Sequence, residues 1–139
     1  MTKPQRVLIT GGAAGIGRAM AHAFIDNGAR VHVADLEVAR GGEPVGCDFT
    51  GVDVSDPESM DTLFETVLAP NESGGLGGLD VLCANVGIAG PTGAIEDLEP
   101  ADWDLTMAVN VRSAFLSCRR AIPAMRAAGG GSILLTSST

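Results

Sequence analysis

The 139-residue sequence contains no tyrosine, one tryptophan and a single lysine, Lys3. Nine basic side chains face seventeen acidic ones, a net charge of -8. That balance argues against a nucleic-acid partner, whose phosphates need a basic surface, and against an anionic membrane. The three cysteines, Cys47, Cys83 and Cys118, lie far apart without a CxxC spacing. Neither a disulfide framework nor a zinc site is indicated, and they read as reduced and mostly buried in a cytoplasmic protein. The two histidines, His22 and His32, have no partner at ligand spacing, so no metal is expected. The apolar run behind Lys3 and Arg6 is only Val7 to Ile9, too short for a signal peptide, and no stretch approaches a membrane span.

Glycine is abundant, with nineteen residues and no collagen period, and hydrophobic residues make up 45%. The chain is long enough for one domain with one core, residues 1–139. Short apolar runs alternate with helical patterns. Val7 to Ile9 reads as a buried strand and Gly17 to Asn27 as a helix with Met20, Ala23 and Phe24 inward. Arg30 to Ala34 reads as a second strand, 36–46 as at most a brief helix, and Cys47 to Val52 as a third strand. Ser55 to Glu58 has the form of a capping box, followed by Met60, Leu63, Phe64 and Val67 at helical spacing. A Gly-rich loop at 71–78 precedes a fourth strand at 79–84. Leu105, Ala108, Val111, Phe115, Cys118, Ile122 and Met125 are expected to mark the inner face of a long helix, kinked at Pro123. A fifth strand is expected at 133–136. Such alternation predicts an α/β, Rossmann-like, doubly wound parallel sheet.

Between the first strand and helix stands Thr10-Gly11-Gly12-Ala13-Ala14-Gly15-Ile16-Gly17. In that place the free N–H groups of the helix start and its dipole attract a phosphate, and glycine lets the backbone approach it. Asp35 ends the next strand, where a carboxylate accepts from adenosine ribose hydroxyls and repels a 2′-phosphate. No Lys or Arg stands at 11–16 or directly after Asp35, which favours NAD over NADP; Arg18 and Arg40 are the cations that could reverse this.

The spacing Gly11-x-x-x-Gly15-Ile16-Gly17 resembles the signature of short-chain dehydrogenases/reductases. Asp53-Val54 resembles the pair flanking the adenine ring, and Ala84-Asn85-Val86-Gly87 resembles the family's Asn-Asn-Ala-Gly stretch, with Ala84 and Val86 as departures. Asn110 resembles the catalytic Asn, and Ser138 the catalytic Ser delivered by the fifth strand. The resemblance implies an NAD-dependent oxidoreductase that interconverts a secondary alcohol and a ketone. It implies cofactor contacts at Gly11, Gly15, Ile16, Gly17, Asp35, Asp53, Val54, Asn85 and Gly87. It also implies homo-oligomers built on the long helix. In the family a Tyr and a Lys follow the Ser by about a dozen residues and carry the proton. The sequence has neither beyond Lys3, so the expectation is an N-terminal portion that lacks the later strands and helices, is marginally stable, and is inactive alone. Two other classes are open: a non-catalytic NAD-binding module or sensor, and a methyl transferase using a Gly-rich loop on the same architecture. Retention of Asn110 and Ser138 argues for the oxidoreductase.

Overall fold

The computed structural model describes residues 2–138. Five strands form one parallel sheet: β1 (Arg6–Thr10), β2 (Arg30–Asp35), β3 (Asp48–Gly51), β4 (Val81–Ala84) and β5 (Ser132–Leu135). Their order is β3-β2-β1-β4-β5, so the chain winds outward to β3 and then crosses to the other side of β1. The helices are α1 (Gly15–Asp26), α2 (Pro57–Leu68), α3 (Pro100–Met107) and α4 (Ser113–Ala127). This is the doubly wound architecture expected, and its switch point lies between the carboxyl ends of β1 and β4.

Alternation along the strands divides the core in two. Val7, Ile9, Val31, Val33, Val81 and Cys83 point to the α1 side, where Ala21, Met20, Phe24 and Ile25 meet them. Leu8, Ala34, Leu82 and Ala84 point the other way, onto Met60, Leu63, Phe64 and Val67 of α2 and onto Leu116, Ala121 and Met125 of α4. Phe64 is fully buried, and a side chain of that size contributes about 1.5–3 kcal/mol by leaving water. Arg6 and Asp80 pin the bottom of β1 to β4, with Nη2 2.7 Å from Oδ1 and Nε 2.9 Å from Oδ2.

Several expectations need correction. On α1 the buried residues are Gly17 and Ala21, with Met20 and Phe24 partly covered, and Ala23 faces solvent. The N-cap of α2 is Asp56, whose carboxylate accepts from Ser59 N–H at 2.8 Å. Ser55, one residue earlier, turns back to Asp53 instead, donating its hydroxyl to Asp53 Oδ1 at 2.6 Å. The long helix is not one continuous α-helix. Residues Ala108–Arg112 form a π turn in which the Ser113 N–H reaches back to the Ala108 carbonyl. The extra residue puts the apolar positions out of phase with the sheet. Ala108, Leu116, Ala121 and Met125 are buried with Ser113 and Ser117, whereas Leu105, Val111, Phe115 and Ile122 are exposed. Helix α4 continues through Pro123 to Ala127, so the departure from α geometry lies at Ala108–Arg112, ahead of the expected one. Cys83 is buried, and Cys47 and Cys118 are half-buried. His22 sits on the exposed side of α1 and His32 is buried on β2.

Candidate functional site

The cleft opens at the carboxyl ends of the strands. The turn after β1 runs into α1, whose N-cap Ala14 makes no side-chain hydrogen bond and whose first turn carries no acid. Its leading N–H donors are therefore available to an anion. Gly17 is buried beneath this turn. A Cβ there would lie 2.7 Å from Asn85 Nδ2 and 2.8 Å from the Gly11 carbonyl carbon, so the helix start and the turn approach each other more closely than any other residue allows.

At one end of the cleft is a cavity of about 340 Å³ lined by Gly11, Asp35, Asp53, Val54, Asn85 and Gly87, with Leu36, Val52, Val86, Ile88 and Val109 completing the wall. Asp35 stands at its polar edge. Its Oδ2 accepts from Ala13 N–H at 3.1 Å and its Oδ1 from Leu36 N–H at 2.8 Å, which fixes the carboxylate beside the Gly-rich turn. Asp53 faces it from the end of β3. The hydroxyl and amide of Ser55 hold the Asp53 carboxyl below the usual carboxylate range, and Arg112 adds to the effect. Arg112 Nη2 also donates to the Ser55 carbonyl at 2.7 Å, which ties this corner to the π turn.

A second cavity, of about 680 Å³, continues from the first. It shares Asn85, Val86, Gly87 and Ile88 with it and adds Ile16, Asn110 and Ser138. Asn110 clamps the strand-end loop. Its Nδ2 donates to the Ile88 carbonyl at 2.8 Å, and its Oδ1 accepts from Ile88 N–H at 2.7 Å. The π turn sets Asn110 at this position while α4 keeps its own seat on the sheet.

The pattern is a glycine-rich turn opening a helix, a carboxylate at the end of β2, an apolar slot beside it and a hydroxyl-bearing pocket beyond, all at a parallel switch point. A short chain dehydrogenase family model matches residues 5–139. The chain belongs to the short-chain dehydrogenase family. It is 38% identical over 139 residues to "Short-chain dehydrogenase reductase 5" of Arabidopsis thaliana, covering 95% of this chain and 52% of that protein. It is 35% identical to D-threitol dehydrogenase of Mycolicibacterium smegmatis over 91% of this chain and 50% of that one. With D-beta-hydroxybutyrate dehydrogenase of Cupriavidus necator it shares 31%, over 100% and 55%. Among solved structures it superposes on a short-chain dehydrogenase from Streptomyces avermitilis with a TM-score of 0.81 at 28% identity, covering 96% of this chain and 48% of that one. A 3-ketoacyl-ACP reductase from Sinorhizobium meliloti gives 0.79 at 34%, over 91% and 51%. The chain thus spans about half the length of the curated relatives it matches.

The short-chain dehydrogenases use nicotinamide cofactors, NAD or NADP. Of the residues singled out in the sequence, Gly11, Asp35, Asp53, Val54, Asn85 and Gly87 converge on the first cavity. Ile16, Asn110 and Ser138 converge on the second. Gly15 and Gly17 line neither and instead shape the turn. Sequence reasoning missed two threonines. Thr10 Oγ1 accepts from Asn85 N–H at 3.1 Å, and Thr136 Oγ1 donates to Asn85 Oδ1 at 2.8 Å. Asn85 Nδ2 reaches the Gly11 carbonyl at 3.4 Å, so one side chain links the ends of β1, β4 and β5. Hydroxyls at strand ends on a switch point are the signal that would have found them. Among the described residues no helix is long and apolar enough to cross a membrane, and no cluster of His, Cys, Asp or Glu is placed to hold a metal.

Proposed function

We propose that residues 1–139 are the dinucleotide-binding domain of an NAD(H)-dependent oxidoreductase interconverting a secondary alcohol and a ketone. One observation carries this. A single cleft has the Asp35 carboxylate at one end and Asn110 with Ser138 at the other, joined by Asn85 to Ile88. The residues fit a dinucleotide: an anion-accepting helix start, an acidic edge for ribose hydroxyls, and Val52, Val54 and Val109 as apolar walls for a base. When bound, the nicotinamide supplies or accepts the hydride.

In this proposal Gly11, Gly15, Ile16 and Gly17 form the pyrophosphate turn, and Asp53 and Val54 flank the base. Asn85 and Gly87 floor the middle of the cleft. Ser138 polarises the substrate oxygen by donating a hydrogen bond to it. Asn110 holds the loop at Ile88 so that Ser138 and the turn face one space. NAD is preferred because Asp35 repels a 2′-phosphate. The candidate cations are also engaged: Arg18 Nε donates to the Gly42 carbonyl at 2.7 Å, and Arg40 pairs with Glu37. Within the 139 residues there is no tyrosine, and Lys3 lies ahead of β1, so we propose that these residues bind the cofactor without turning substrate over. The small-alcohol names of the two bacterial relatives support an alcohol or ketone substrate. The exposed Val111, Phe115 and Ile122 are the surface we propose for pairing with a second copy. A cytoplasmic setting would keep the three free cysteines reduced.

The test is a titration with NADH, followed by its fluorescence, beside the same titration with S-adenosyl-methionine. Saturable NADH binding that weakens in Asp35→Ala supports the proposal. Binding of S-adenosyl-methionine without NADH would replace it with the methyl transferase class.

A further inference from the structure

We propose that Glu37 is a second determinant of NAD over NADP, acting by withholding Arg40 from the 2′ position of the adenosine ribose; this rests on the dinucleotide site described above. Asp35 and Gly51 are register partners on β2 and β3, so their side-chain directions coincide, about one strand spacing of 4.8 Å apart. Gly51 has no side chain, and Glu37 fills the slot. A Cβ on Gly51 would lie 3.0 Å from the Glu37 carboxyl carbon and 3.2 Å from its Cβ. The Glu37 carboxylate therefore occupies the position next to Asp35 across the β2–β3 pair, and the Asp35 carboxylate lines the cavity.

Arg40 is bound to the Glu37 carboxylate. Its Nε is 2.5 Å from Glu37 Oε1 and its Nη2 is 3.0 Å from Oε2. Its guanidinium lies 4.5 Å over the ring of Phe49, two residues before Gly51 on the same face of β3. The Arg40 guanidinium thus has both its hydrogen-bonding fork and its flat face committed to the protein, as Arg18 has its Nε committed to the Gly42 carbonyl. A 2′-phosphate carries about -1.5 to -2 charges and pairs best with just such a bidentate fork. Glu37 opposes it twice, by neutralising Arg40 and by adding its own negative charge beside Asp35. The pair is exposed, so the contact between Glu37 and Arg40 is readily exchanged once the carboxylate is gone.

The experiment measures NADH and NADPH dissociation constants by fluorescence on the full chain and on Glu37→Gln, Arg40→Ala and the double variant. Removing one charge at one to two strand spacings from a phosphate raises the ratio of NADPH to NADH affinity about five- to tenfold in Glu37→Gln. The double variant loses the larger part of that gain, because Arg40 is the group that takes the phosphate, and keeps only the part due to the missing Glu37 charge. An unchanged ratio in Glu37→Gln, or a gain that removal of Arg40 does not diminish, overturns the proposal. Failure of the unaltered chain to bind NADH overturns the dinucleotide site itself and is distinguishable from either result.

Discussion

Replacing Gly17 by alanine tests the architecture of the turn most directly. The new Cβ would stand 2.8 Å from the Gly11 carbonyl carbon and 2.7 Å from Asn85 Nδ2. Carbon pairs settle at about 3.5–4.0 Å, so about 1 Å must be found. Neither neighbour is free to give it. Gly11 N–H is bonded to the Ala34 carbonyl at 2.7 Å, and Asn85 is held by Thr10 and Thr136. Overpacking costs about 1–3 kcal/mol, and a backbone obstacle places this case near the upper figure. For a chain of this size that corresponds to a fall of about 10 °C in Tm. Displacing the turn by about 1 Å should also weaken NADH binding, because the helix-start N–H groups no longer meet the pyrophosphate squarely. Gly15→Ala is the control. Gly15 has φ of 53° but open space around its Cβ position, so only the backbone strain of about 1–2 kcal/mol applies. Thermal unfolding followed by circular dichroism, with NADH titrations, compares the two. Equal losses in the two variants, or a larger one in Gly15→Ala, would refute the reasoning from close approach.

Burial pushes the His32 imidazole below its ordinary value of 6.5, against a smaller opposing pull from Asp48. The unfolded chain therefore binds the proton first. Stability is full above pH 6.5 and falls as pH drops below it, and urea midpoints at about pH 5 and 7.5 should show the loss, with His32→Leu flattening the slope. Asp80→Ala removes the partner that Arg6 grips through three nitrogens, its backbone N–H, Nε and Nη2. The half-wet site makes the cost about 1–2 kcal/mol in a urea titration, and a neutral result would show that the pair does not pin the strands. Asn110→Ala deletes both bonds to Ile88. Amide hydrogen exchange across 86–92 should speed up markedly, with Asn110→Asp intermediate because it keeps the acceptor; unchanged protection at Ile88 would mean the loop is held by something else.

Much of the fold was legible because it is written in local patterns. The i, i+3, i+4, i+7 run from Met60 to Val67 is the buried face of α2. The apolar run in β1 and the alternation in β2 place these strands correctly, since a parallel strand with helices on both sides needs apolar residues on both faces. The convergence of Gly11, Asp35, Asn85 and Gly87 was legible for a related reason. They end strands or open turns, and a parallel sheet gathers all such ends on one side. What failed was long-range or out of period. The π turn sits between Leu105 and Leu116, so a face counted through it lands Val111, Phe115 and Ile122 in solvent. Ser55 and Asp56 both satisfy a capping pattern, and the competition was decided by Asp53, which took the Ser55 hydroxyl. Thr10, Thr136 and Arg112 act on partners 51 to 75 residues away in the sequence, through single hydrogen bonds that leave no repeat to read.

The π turn at 108–112 also makes the long helix sensitive to length in a way its composition hides. Deleting one residue there would let the ladder close on ordinary four-residue bonds and swing everything upstream by about 100° around the axis. Helix α4 would keep its seat through Leu116, Ala121 and Met125, but Asn110 would leave Ile88 and α3 would carry Trp103 to a new side. Substitutions along the outer face should be easy to accept, whereas a single-codon indel in this stretch should uncouple the cleft from an otherwise intact sheet.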